Sequence, residues 1–63
     1  MHIKVGAIFH LKSEESTIVR VTYVGQWIRY DYLQVLGNSA FSAVGHGGEP
    51  RHLFDQYWLK NAE

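Results

Sequence analysis

The sequence contains no cysteine, so disulfide bonds and thiolate metal sites are excluded. A chain of 63 residues has room for one domain, and we predict a single domain over residues 1–63. Chains this short bury only about 60% of the surface that they expose when unfolded, so their stability is expected to be marginal. Nine aromatic residues supply the material for a core. Self-association is another way to stabilise so small a chain, and a homodimer therefore remains open.

The sequence also lacks an excess of charge of either sign. Six lysine and arginine residues are matched by six aspartate and glutamate residues, so the formal net charge is zero. A neutral chain has no long-range field to attract phosphates, which is the electrostatic signature of a nucleic-acid-binding protein. Near-neutrality favours association with other proteins, because it does little to keep molecules apart.

Long apolar runs are missing as well. No segment approaches the roughly 18 consecutive apolar residues that a membrane span requires. The first six residues lack the apolar run and the small-residue cleavage site of a signal peptide. The sequence therefore predicts a cytoplasmic protein without a membrane partner.

The first stretch of the chain shows the period-two alternation of a half-buried strand. Gly6 interrupts the pattern and predicts a bulge or a bend. The side chains expected to point inward are those of Ile3, Val5, Ala7, Phe9 and Leu11.

Residues 17–33 predict a β-hairpin. Residues 17–24 are rich in β-branched side chains, and Gly25 is suited to the first central position of a two-residue type II′ turn. This turn places Tyr23 opposite Ile28 and Arg20 opposite Asp31. The predicted core face consists of Val19, Val21, Tyr23, Ile28, Tyr30 and Tyr32, and the other face consists of Arg20, Thr22, Arg29 and Asp31, with Val24 and Trp27 at its end.

The remaining chain predicts four further segments. Residues 34–40 are interpreted as a connection that turns at 37–39, residues 41–44 as a fourth strand and residues 45–50 as a flexible loop. Residues 50–60 predict a short helix that starts at Pro50 and has Lys60 in its last turn, with a strand as the alternative left open. The helical spacing is carried by Leu53, Phe54, Tyr57 and Trp58.

No pattern in the sequence predicts catalysis, a cofactor or a metal. His46 and His52 are six residues apart, which is outside the usual spacing of a zinc-binding pair. The serines do not lie in a nucleophile-elbow pattern. We therefore expect a protein that is not an enzyme, and that has no catalytic, cofactor-binding or metal-binding residues.

Trp27 and Arg29 are the strongest candidates for contact with a partner. The predicted register puts them on the polar face beside Val24, and tryptophan and arginine are enriched at binding hot spots. The alternative is that Trp27 caps one end of a barrel. Tyr57 and Trp58 are most simply interpreted as core residues, and the alternative is that they line a groove or a homodimer seam. A ring beside an arginine also suits single-stranded nucleic acid, on which bases stack.

The order of these segments resembles that of small SH3-like or Tudor-like barrels. The segments that carry the resemblance are residues 5–9, the hairpin 17–33, the strand 41–44 and the closing Leu53-Phe54. The chain also resembles short proteins encoded by bacterial phages and mobile elements. The resemblance implies a mainly β fold: a small antiparallel barrel or curled sheet of four to five strands with a short C-terminal helix.

Proteins of these kinds commonly act as adaptors or as regulators of host machinery. The resemblance therefore implies a non-enzymatic protein-interaction module, and one form of it is a phage-encoded inhibitor of a host protein, such as an anti-CRISPR protein. The alternative is a small nucleic-acid-binding barrel. The expected partner is another protein, with nucleic acid as the second choice.

Overall fold

The computed structural model describes residues 3–37 and 40–61. The predicted mainly β fold with four to five strands and a short helix near the C-terminus is confirmed. The elements are β1 (Ile8–Leu11), β2 (Glu14–Tyr23), β3 (Trp27–Gly37), β4 (Ala40–Pro50), α1 (Arg51–Tyr57) and β5 (Trp58–Lys60).

The five strands form one antiparallel sheet in the order β4-β3-β2-β1-β5. The sheet is open, because β4 and β5 are its two edges and do not pair with each other. Of the two predicted alternatives, the closed barrel is wrong and the open sheet is confirmed. Since α1 connects one edge strand to the other, it lies across one face of the sheet and buries Phe54 there. We call this side the core face and the opposite side the outer face.

Alternation along the strands separates the two faces. Phe9, Val19 and Ile28 are fully buried on the core face, as predicted. Phe54 from α1 and Trp58 from β5 complete the cluster from the C-terminal side. Three consecutive strands, the helix and β5 thus each contribute to one core cluster.

The predicted hairpin register is confirmed for three pairs and is wrong near the turn. The pairs that match are Val19 with Tyr32, Arg20 with Asp31 and Val21 with Tyr30. Thr22 is an extra residue on β2, so Tyr23 lies opposite Arg29 instead of Ile28. This β-bulge turns Tyr23 out of the predicted core, and its side chain is 54% exposed.

The turn itself is not the predicted type II′ turn. Three residues, Val24, Gly25 and Gln26, separate β2 from β3. Gly25 does not have the positive φ that the first central position of a type II′ turn requires. The positive φ values of the described glycines occur at Gly6 (93°), where the predicted bend is found, and at Gly37 (91°).

The N-terminal segment departs from its predicted alternation at one position. Ile3 and Phe9 are buried, as predicted, whereas Val5 is exposed. Gly6 and Ala7 bridge to one residue of β2, because Gly6 N donates to Val21 O at 2.8 Å and Val21 N donates to Ala7 O at 3.0 Å. The bend at Gly6 thus starts the pairing with β2 before β1 begins.

The segment predicted as a flexible loop, residues 45–50, is part of a long strand. β4 pairs with β3 along its length, with Gly45 opposite Tyr32 and Gly47 opposite Tyr30. The tyrosine rings cover these glycines, which provide the space for them. The predicted connection over 34–40 is likewise too long, because β3 continues to Gly37 and β4 begins at Ala40. The rest of the predicted turn, residues 38–39, lies outside the described residues.

The C-terminal segment contains both of the predicted alternatives in succession. α1 starts at Arg51, one residue later than predicted, and ends at Tyr57. Trp58 to Lys60 then pair with β1 as β5. Lys60 therefore lies in a strand and not in the last turn of a helix. In the described part of the chain, no helix has the length and the apolar character needed to cross a bilayer.

Candidate functional site

The outer face carries two large aromatic side chains on either side of an arginine. Trp27 and Arg29 alternate with the buried residues of β3, and Tyr23 lies directly opposite Arg29 on β2. Trp27 is 47% exposed, and Tyr23 and Arg29 are exposed as well. We call these three residues the Trp27 face. They lie on paired strands, so the spacing between them is fixed by the sheet.

The Trp27 ring packs on Gly48 of the neighbouring strand β4. A Cβ atom placed on Gly48 would lie 2.6 Å from Nε1 of Trp27, so the indole lies across the backbone of β4. Tyr23 is held in a similar way by the turn, because a Cβ atom on Gly25 would lie 2.9 Å from the Tyr23 ring. The two rings therefore rest on backbone and keep one surface open to solvent.

The next row of the outer face is charged. Arg20, Asp31 and His46 lie opposite one another on β2, β3 and β4. The predicted charge pair of Arg20 and Asp31 is thus in register. Together with Arg29, this row gives the outer face two arginines and one aspartate, so the surface around Trp27 has a modest excess of positive charge.

The other residues predicted to contact a partner are not part of the Trp27 face. Val24 is half-buried and packs against the core. Tyr57 is exposed, but it lies at the far end of α1, where its carbonyl accepts a hydrogen bond from Lys12 N at 2.9 Å. Trp58 is only 3% exposed and is stacked with Phe54 inside the core. The structure therefore brings together Trp27 and Arg29, and adds Tyr23, which the sequence placed inside.

Glu49 is a half-buried acid that the sequence analysis did not single out. Its Oε1 atom accepts hydrogen bonds from Nε1 of Trp58 and from the hydroxyl of Tyr30, the latter at 3.2 Å. Because Glu49 lies on β4 and Trp58 on β5, this carboxylate joins the two edge strands through their side chains. No periodicity marks such a residue, since its partners are 9 and 19 positions away in the sequence. Its role is structural: it satisfies the polar ends of two core aromatic side chains.

The same cluster makes stability sensitive to alkaline pH. Burial first, and then the neighbouring side chains of Tyr32 and Glu49, raise the pKa of Tyr30 far above that of a free tyrosine. A group whose pKa is raised in the folded state stabilises fully below its unfolded pKa, about 10, and this stability is lost as the pH rises further. Above a pH of about 10 the unmodified protein should lose up to about 1.4 kcal/mol of stability per pH unit through Tyr30, and we expect Tyr30→Phe to remove this loss.

Urea unfolding of the unmodified protein and of the Tyr30→Phe variant, each at about pH 8 and about pH 11, measures how their stabilities change with pH. The control is Tyr23→Phe, which removes an exposed hydroxyl and should keep the pH dependence of the unmodified protein. Equal pH slopes for the unmodified chain and the Tyr30→Phe variant would contradict the prediction.

An open cleft of about 520 Å³ lies on another part of the surface. The cleft is bounded by the bend that precedes β1, the first residue of β1, the end of β5 and Phe41 of β4. The volume is within the range of small-molecule sites. Among the described residues that line it, two are lysines and none is a histidine, an acid or a residue with a hydroxyl side chain. The residues are Lys4, Val5, Gly6, Ala7, Ile8, Phe41, Lys60 and Asn61.

The three histidines in the described part of the chain lie on separate elements. His46 is exposed on β4, His52 is exposed in the first turn of α1, and His10 hydrogen-bonds Asn61 beside β5. Over residues 3–37 and 40–61, no three histidine, aspartate or glutamate side chains gather as a metal site would require. Among the described residues, the Trp27 face is therefore the candidate binding site.

Comparisons with known proteins leave this geometry as the basis for assigning a function. The chain matches no protein-family model, no curated protein and no solved structure.

Proposed function

We propose that this protein is an interaction module that binds another protein through the Trp27 face. The observation that carries the proposal is the exposure of two aromatic rings around Arg29 on paired strands. Aromatic and arginine side chains bury much area, and those held by a rigid scaffold lose little conformational entropy when a partner binds. Tyr23, Trp27 and Arg29 meet this description.

The rest of the outer face is consistent with a binding surface that has a hot spot and a rim. The row of Arg20, Asp31 and His46 borders the aromatic residues and offers both donors and an acceptor. Such a polar border suits the edge of an interface, where solvent remains accessible. The excess of arginine favours a partner surface with acidic side chains facing Arg29.

The test is affinity capture with the tagged chain as bait, followed by measurement of the affinity for the captured protein. We expect Trp27→Ala and Arg29→Ala each to weaken binding at least about tenfold, because truncation of a hot-spot residue removes about 2 kcal/mol or more. Both side chains are exposed, so the variants should keep the circular-dichroism spectrum and the unfolding midpoint of the unmodified protein.

Tyr57→Ala is the matched control, since it removes an aromatic side chain of similar exposure at the far end of α1. It should bind as the unmodified chain does. Binding that survives both Trp27→Ala and Arg29→Ala, or that is lost equally with Tyr57→Ala, would show that the Trp27 face is not the contact surface.

One feature of the same face favours nucleic acid as a second candidate. Tyr23 and Trp27 present open ring surfaces beside an arginine, which is the arrangement on which unpaired bases stack. Asp31 in the adjacent row and the zero net charge weigh against it. The two candidates differ in their response to salt, because affinity for a single-stranded oligonucleotide should fall steeply between about 50 and 200 mM salt. Binding to the oligonucleotide that is absent or independent of salt would exclude this second candidate.

The phage-encoded inhibitor of a host protein, such as an anti-CRISPR protein, is a narrower form of the same proposal. It stays a prediction. Co-expression with host defence complexes checks it, with Trp27→Ala as the variant that should lose any inhibition.

A further inference from the structure

The cleft beside β1 is bounded by a tight turn over residues 4–7. Ala7 N donates to Lys4 O at 3.1 Å, and Gly6 has a φ of 93° at the third position, where a type II turn requires a positive value. Gly6 N also donates to Val21 O, which fixes the turn against β2. A Cβ atom on Gly6 would meet no described atom within 4 Å beyond its neighbours in the chain, so the turn leaves open space there. The turn therefore forms a wall that is in place before any ligand binds.

Several of the described side chains along the cleft are apolar. Val5, at the second position of the turn, is 65% exposed, and Phe41 contributes its ring from β4, where it is 40% exposed. Ile8, the first residue of β1, lines the cleft as well and is half-buried. A ligand with an apolar body would remove part of this surface from water, which is favourable in proportion to the area that it covers.

Polar groups near the end of β5 supply hydrogen-bond donors and positive charge. Asn61 N donates to Ile8 O at 3.0 Å, so the backbone fixes Asn61 beside β1. The side-chain oxygen of Asn61 accepts a hydrogen bond from Nδ1 of His10, which leaves its amide nitrogen as the group that can donate to a ligand. Lys4 and Lys60 add two exposed side chains with positive charge, one from the turn and one from β5. Donors and positive charge together fit the oxygen atoms of an anion.

We propose that this cleft binds a small organic anion with an apolar body, of the class of medium-chain carboxylates. Lys4 and Asn61 hold the carboxylate, and Val5 and Phe41 cover the hydrocarbon chain. The volume of about 520 Å³ suits such a ligand, and binding sites for small molecules typically combine apolar walls with a few polar groups that fix the orientation. The cleft is separate from the Trp27 face, so the proposal does not depend on the proposed binding of a protein.

The backbone favours a small molecule over an extended peptide as the occupant. A peptide that adds to the edge of a sheet gains its affinity from main-chain hydrogen bonds. The backbone N–H groups of Gly6, Ala7 and Asn61 already donate to carbonyl groups of their own chain. Recognition in this cleft therefore depends on side chains, as it does in sites for small molecules.

Titration of the full chain with octanoate, followed by the amide chemical shifts in NMR spectra, tests the proposal at about pH 7, where a carboxylic acid is ionised. We expect a dissociation constant of about 0.1–1 mM for a ligand of about ten non-hydrogen atoms in an open cleft, with the shifts concentrated at residues 4–8 and 60–61. Octanamide, which is neutral, and acetate, which lacks the apolar body, should each bind at least about threefold more weakly. Absence of shifts up to about 10 mM octanoate, shifts spread evenly over the chain, or equal affinity for either analogue overturns the proposal.

Two variants with matched controls locate the contact, and the amide spectrum of each shows that it is folded. Lys4→Gln should weaken octanoate binding about two- to fivefold, because an exposed ion pair is lost, whereas Lys12→Gln makes the same change of charge outside the described lining and should not. Phe41→Ala should weaken binding at least about threefold, whereas Tyr57→Ala removes a ring of similar exposure from α1 and should not. Octanoate that binds the Lys4→Gln or the Phe41→Ala variant as tightly as the unmodified chain would show that the cleft is not the site.

Discussion

Phe54→Ala is expected to leave the protein largely unfolded at room temperature. The Phe54 ring is fully buried and makes an edge-to-face contact with Phe9 at 4.9 Å between ring centroids. It also lies 5.9 Å from both Tyr30 and Trp58. Removal of a phenyl ring from such a site costs about 3–5 kcal/mol. A domain of this length has a free energy of unfolding of only about 3–9 kcal/mol, at about 0.05–0.15 kcal/mol per residue.

Urea unfolding followed by circular dichroism measures this loss. Leu53→Ala is the control, because it also replaces a large apolar residue of α1 by alanine, at the preceding position, where the side chain is only half-buried. It should cost about 1 kcal/mol, since less apolar surface leaves the core. Similar losses for the two variants would mean that α1 does not insert Phe54 into the core as described.

Gly47→Ala is expected to destabilise the fold by about 1–3 kcal/mol, although alanine ordinarily suits a strand better than glycine. A Cβ atom on Gly47 would lie 3.0 Å from Cε1 of Tyr30 and 3.3 Å from Cε2 of Tyr32. Tyr30 cannot easily yield this space, because it is packed against Trp58 at 5.3 Å between ring centroids and is hydrogen-bonded to Glu49. The added methyl group therefore overpacks the core.

Gly45→Ala provides a matched comparison two residues earlier on the same strand. A Cβ atom there would meet Cδ2 of Tyr32 at 3.7 Å, which is an ordinary contact. Neither glycine has a positive φ, so alanine fits both backbones. Gly45→Ala should leave stability unchanged or raise it by up to about 1 kcal/mol. Thermal unfolding measures the stability of the two variants. A loss of stability in Gly45→Ala as large as in Gly47→Ala would contradict the packing described for Tyr30.

These glycines also show why part of the fold could not be predicted from the sequence. The β2–β3 hairpin was predictable because its apolar period and its strand lengths are local signals, and the pair Arg20 and Asp31 is found where the pattern places it. Residues 45–50 carry the local signals of a loop. They form a strand because the rings of Tyr30 and Tyr32 occupy the space above Gly47 and Gly45, which is a cross-strand effect.

The candidate site was predictable only in part for similar reasons. Trp27 and Arg29 follow from the alternation of β3, which the sequence shows directly. Tyr23 depends on a bulge at Thr22 that no residue type signals, and its exposure was therefore missed. Trp58 is buried, which agrees with its interpretation as a core residue and not with the alternative of a groove or a homodimer seam. Its indole is held inside by a carboxylate whose position depends on the tertiary fold.

The bridge between Glu49 and Trp58 has a consequence for the entropy of folding. It joins the two margins of the sheet through residues only 9 positions apart, whereas the hydrogen bond of His10 with Asn61, also at the β5 margin, spans 51 positions. Closing the shorter loop costs about 1.5 kcal/mol less, since the cost grows with the logarithm of loop length. The side chains of Glu49 and Trp58 thus connect β4 and β5, which do not pair through their backbones. A low entropic cost of closing this contact matters for a chain whose free energy of unfolding is small.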